Sequence, residues 1–123
     1  MRTLLAFILM ATCAVSSAAG FVGLLKGGPV ELFDDADLRL FLDAARKALD
    51  DGAVNQPVNW QNPKTTHQGD MTVLKRFESK GRNCARLRVR NVAELRKSTM
   101  QHNLCSINGQ WRLVGDLPKG ETK

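Results

Sequence analysis

Three cysteines, two histidines and a run of arginines are the residues of this 123-residue chain whose types could carry chemistry. Cys84 and Cys105 lack the Cys-x-x-Cys spacing of a redox pair, and only His67 and His102 exist to join them as metal ligands. Neither a redox centre nor a metal site is therefore expected, and no cofactor is implied. His67 falls in a loop and His102 on a strand, with no Ser, Cys or Asp held beside either by a recognisable motif, so no catalytic residues and no enzyme activity are expected. Asp34, Asp35 and Asp37 could be read as an oxygen-rich calcium site. They lack the further carboxylates and glycine turn of a calcium loop, and read instead as the start of a helix. What remains is Arg76, Arg86, Arg88, Arg90 and Arg112, which alternation places on one sheet face as a candidate binding surface for an anionic partner. The plainer reading is that they solvate the outer side of a half-exposed sheet.

Two kinds of element must position these groups. From residue 34 to 51, Leu38, Phe41, Leu42, Ala45 and Leu49 recur on one face of a helix. Asp34 or Asp35 caps it, Asp37 suits its positive end, Arg46 and Lys47 suit the other, and Gly52 stops it. Beyond Pro57 the pattern turns to alternation: Val58 and Trp60 first, then Met71, Val73 and Phe77. A hairpin centred on Gly81 sets Phe77 opposite Ala85 and Val73 opposite Val89, leaving Lys75 as a misfit on the apolar side.

Pairing Cys84 with Cys105 centres the next hairpin between Glu94 and Leu95. It sets Ala85 opposite Leu104, Val89 opposite Met100, Arg86 opposite Asn103 and Arg88 opposite Gln101, which sorts both faces at once, with His102 a second misfit on the apolar side. Asn108-Gly109 makes the last hairpin and pairs Leu104 with Leu113. The expected fold class is α+β, one N-terminal amphipathic helix packed on a four- to five-stranded antiparallel meander. Trp60, Phe77, Leu87, Leu104 and Trp111 are expected on its inner side. A Cys84–Cys105 disulfide would staple it, contributing about 3 kcal/mol on the chain-entropy account.

The N-terminus sets the compartment. Arg2, the apolar run from Leu4 and the small residues ending in Ser17-Ala18-Ala19 have the zones of a signal peptide, residues 1–19. Two alternatives stay open, lipidation at Cys13 and an uncleaved anchor from Leu4 to Leu25. All three export the domain to the periplasm or outer membrane, where a paired cystine is at home. Residues 20–32 read as linker, 33–114 as the domain and 115–123 as a disordered tail. The net charge of +6 is uneven: residues 20–74 hold five basic and eight acidic side chains, residues 75–123 twelve basic and four acidic. A basic sheet half favours an anionic envelope component or an acidic protein surface. Nucleic acid is not expected, because no Tyr is present and both Trp face the core rather than offering stacking platforms.

Trp60-Gln61-Asn62-Pro63, Thr65, Gly69, Cys84 with nearby Arg86, Cys105 and Gly109-Gln110-Trp111 together resemble the surface-antigen domain of the seventeen-kilodalton rickettsial antigen type. The likeness spans residues 33–114. It implies an exported proteobacterial envelope protein, periplasmic or outer-membrane-associated, in a family without established catalytic activity. The chain departs from the family pattern at Thr66 and Ala85, where Gly and Arg are usual, and has only Gly20, Gly23, Gly27 and Gly28 in place of a glycine-zipper segment. The function expected is a non-enzymatic structural or binding role in the envelope; the alternative is a periplasmic protein-binding inhibitor or accessory subunit.

Overall fold

The computed structural model describes residue 24 and residues 27–115. The expected signal peptide with its alternatives, lipidation at Cys13 and a membrane anchor, and most of the expected C-terminal tail lie outside the described residues. A short 3-10 helix, Gly28–Leu32, has Pro29 in its first turn and buries Pro29 and Val30. It packs on the sheet, so this part of the expected linker belongs to the folded unit. Helix α1, Asp35–Asp51, follows. Five strands complete the order: β1 Val58–Gln61, β2 Gln68–Ser79, β3 Arg82–Ala93, β4 Arg96–Ile107 and β5 Gln110–Val114. They form one antiparallel sheet in sequence order, so the expected α+β meander is the fold. Among the described residues no helix is long and apolar enough to cross a membrane.

Helix α1 starts with a capping box. The Asp34 carboxylate accepts from the Asp37 amide at 2.7 Å, and the Asp37 carboxylate accepts from the Asp34 amide at 3.0 Å. Its buried face is Phe41, Ala44, Ala45, Ala48 and Leu49, with Leu42 half-buried beside it. That face meets Met71 and Val73 of β2, Ala85, Leu87 and Val89 of β3, and Leu104 of β4 in one apolar cluster. Trp60 sits edge-on to Phe33 and Phe41, ring centroids 5.0 and 6.3 Å away. Gly69 is what lets it in: a Cβ there would lie 2.6 Å from the Trp60 indole nitrogen and 2.4 Å from the Arg90 carbonyl oxygen. Trp111 is half-buried against the same cluster and donates its indole N–H to Asp50 at 2.8 Å, tying β5 to the helix.

Three hairpins set the register. Between β3 and β4 it is the expected one, Cys84 opposite Cys105, Ala85 opposite Leu104 and Val89 opposite Met100, with the two cysteines joined in a disulfide. Leu104 faces Leu113 across β4 and β5, again as expected. The β2–β3 hairpin turns on Lys80-Gly81, both at positive φ, as a two-residue primed turn requires. That puts Phe77 opposite Cys84 and Arg76 opposite Ala85. A bulge between Val73 and Lys75 then shifts the pairing, so Val73 faces Leu87 and Met71 faces Val89. The expected pairs Phe77–Ala85 and Val73–Val89 are thereby corrected.

The extra residue reverses the alternation of β2 past the bulge. Phe77 leaves the helix side and packs with Cys84, Cys105 and Val114 on the far face. Lys75 joins it there, its Nζ 5.3 Å from the Phe77 ring centroid, so the expected misfit disappears. The Val73 carbonyl at the bulge accepts from the Asn55 amide at 2.8 Å.

Candidate functional site

Arg76 must be removed from the expected binding face. The bulge turns it toward the helix, where its guanidinium donates to the carbonyls of Leu49 at 2.7 Å, Ala48 at 3.1 Å and Gly52 at 2.7 Å. A helix ends with unpaired carbonyls and the negative end of its dipole, and a cation answers both. The last turn of α1 carries no basic residue of its own, so Arg76 does what Arg46 and Lys47 were expected to do.

The other four arginines stand where alternation put them. Arg86, Arg88 and Arg90 share the β3 face that carries Cys84, away from α1, about 7 Å apart at two residues per step. Arg112 lies opposite Cys105 on the same face. The pairing adds Lys75 opposite Arg86, Lys97 opposite Val92 and Arg82 opposite Ser79. Arg96 falls on the other side and pairs with Glu31 at 3.0 Å. On the outer face the strands therefore present seven basic side chains and one acidic one, Asp70, opposite Arg90.

Two rows of paired residues frame a groove at the β1 end of this face. One runs Asn59, Asp70, Arg90; the other runs Gln61, Gln68, Val92. All six line a cavity of about 500 Å³. Among the polar atoms buried without a hydrogen-bond partner, Trp60 Nε1 and Asp70 Oδ1 belong to residues that line it, and Thr72 Oγ1 and Arg88 Nε lie beside it. Thr72 and Arg88 are directly opposite each other, one step along the strands from Asp70 and Arg90.

A second polar cluster was invisible to sequence reading. Asp37, fully buried, accepts from the Thr65 hydroxyl at 2.7 Å and the Asn62 amide at 2.8 Å, and its Oδ2 lies 2.8 Å from His67 Nδ1. Burial alone would raise its pKa, but the hydrogen bonds from Thr65, the Asp34 amide, His67 and Asn62 outweigh this and bring it down to about 2. His67 thus has an aspartate beside it, brought there by the fold and by no local sequence motif. The pair is nonetheless buried, with the His67 ring 5.9 Å from Phe33, and it lies outside the cavities around Asp50, Asp70 and Arg86. Its effect is to fasten the β1–β2 loop to the first turn of α1. Trp60, Asn62, Thr65 and Gly69, which carry the family resemblance, all belong to this packing and fastening.

His102 is half-buried on the helix side of β4, where burial lowers its pKa. A cavity of about 590 Å³ lies past the end of α1 and is lined by Asp50, Arg76, Glu78 and Trp111 among others, but Arg76 and Trp111 are already committed to the helix. Among the described residues no group of three or more His, Cys, Asp or Glu is placed to hold a metal. Compared with protein-family models, with curated proteins and with solved structures, the chain matches none.

Proposed function

We propose that this is a non-enzymatic exported protein of the cell envelope, periplasmic or outer-membrane-associated, whose stapled sheet binds an anionic envelope component through its outer face. The supporting observation is the charge of that face, seven basic side chains against Asp70 alone. Such a surface attracts polyanions over a Debye length of about 8 Å at physiological salt, and several contacts together add up where one exposed pair would not. The signal-like N-terminus, the disulfide and the resemblance to the rickettsial surface-antigen domain agree with an envelope setting. Arg86 and Arg88 sit at the middle of the ladder with α1 on the opposite side, so reversing them disturbs the field without touching the core. The full chain carrying Arg86→Glu and Arg88→Glu is expected to lose most of its binding to envelope fractions. Unchanged retention of that double variant would refute the reading.

A further inference from the structure

On the premise of that binding face, we infer that the Asn59–Asp70–Arg90 groove is a subsite for an acidic glycan, recognising sugar hydroxyls as well as anionic groups. A surface that bound polyanions by charge alone would gain nothing from a carboxylate beside its arginines. Asp70 is such a carboxylate, and among the described residues it makes no ion pair, although Arg90 is its partner across the strands. Its Oδ1 is buried and accepts no hydrogen bond. Asp70 is therefore no clamp for an arginine, and half-exposed as it is, it keeps one oxygen out of water with no donor to meet it.

A carboxylate only accepts hydrogen bonds, so its complement is a donor, and a sugar hydroxyl is the donor that arrives together with anions on one polymer. The rest of the rim fits the same ligand. Asn59, Gln61 and Gln68 supply amides that both donate and accept, while Arg90 supplies the planar donors that match a carboxylate group. The groove volume of about 500 Å³ lies in the range of small-ligand sites. Contact with ligand would also relieve the unpartnered Asp70 oxygen, which carries a desolvation cost while its hydrogen bond is unmade.

The test uses the oxidised full chain and three polymers: polygalacturonate, with carboxylates and hydroxyls; inorganic polyphosphate, with charge alone; and dextran, with hydroxyls alone. The wild-type chain is expected to prefer polygalacturonate over polyphosphate at matched charge and to ignore dextran. Asp70→Ala is expected to weaken polygalacturonate binding by about tenfold, one charge-assisted hydrogen bond's worth, while leaving polyphosphate binding equal or tighter. Asn59→Ala on the same rim should shift the preference in the same direction. If Asp70→Ala instead tightens both polyanions alike, the subsite is overturned and the basic face stands as a charge surface only. If the wild-type chain binds neither polyanion, or Arg86→Glu with Arg88→Glu changes neither, the face itself fails and the subsite with it.

Discussion

Asp37 and Asp70 are the same residue type used in opposite ways. Asp37 is fully buried and its two oxygens take hydrogen bonds from Asn62, Thr65, His67 and the Asp34 amide. Asp70 stands among arginines with a buried oxygen that bonds to nothing. The first has every feature of a group held for folding: satisfied acceptors, a depressed pKa and partners drawn from two distant segments. The second has the feature of a group held for something outside the chain. An Asp–His contact looks more like chemistry than a lone aspartate does, yet burial and satisfaction assign the roles the other way round.

The largest test of this contrast is Asp37→Ala. It strands the Asn62, Thr65 and His67 groups and removes half of the capping box, so about 4 kcal/mol of stability should be lost in urea unfolding. A loss below about 1 kcal/mol would show that the knot does not hold the loop to the helix.

Acid should reach the same group. Its folded pKa of about 2 lies below the ordinary carboxylate value of 3.8, so the stability it contributes is complete above about pH 4 and falls away as pH drops toward 2. The shift corresponds to about 2 kcal/mol. Unfolding free energy measured across that window should slope in the wild type, and the slope should flatten in Asp37→Asn.

A pair of arginines repeats the comparison. Arg76 donates to three carbonyls at the end of α1, whereas Arg88 has a buried Nε without a partner. Arg76→Ala should cost about 1–2 kcal/mol of stability and change polyanion affinity little. Arg88→Ala should do the reverse. Equal effects of the two on polyanion binding would mean that Arg76 also faces the ligand in solution.

Much of this was readable from residue patterns where local chemistry pinned the chain. The Cys84–Cys105 register and the Asn108-Gly109 turn each rest on short-range signals, and both survive in the structure. The β2 register failed because a bulge leaves no mark in the residue types around Leu74. Its trace was indirect, in Lys75 sitting where an apolar residue should be. Arg76 was misplaced for the same reason, since one extra residue reverses every side chain beyond it. The Asp37–His67 contact joins residues 30 apart, and no helical or strand period reports a loop folding back on a helix start. Asp34 and Asp37 did carry a readable cap, three residues apart, but nothing in it foretold the three further partners.

The smallest expected effect closes the contrast. Removing the Asp70 carboxylate takes away a buried acceptor that no donor meets, so Asp70→Ala should leave unfolding free energy unchanged or raise it by up to about 1 kcal/mol. The absence of a loss is informative because Asp37 is bonded to Asn62, Thr65 and His67, whereas the buried Asp70 oxygen is bonded to nothing. A loss above about 2 kcal/mol would mean that Asp70 is bonded within the protein in solution. Its unpaired oxygen would then no longer be available to a sugar, and the two aspartates would belong to one class.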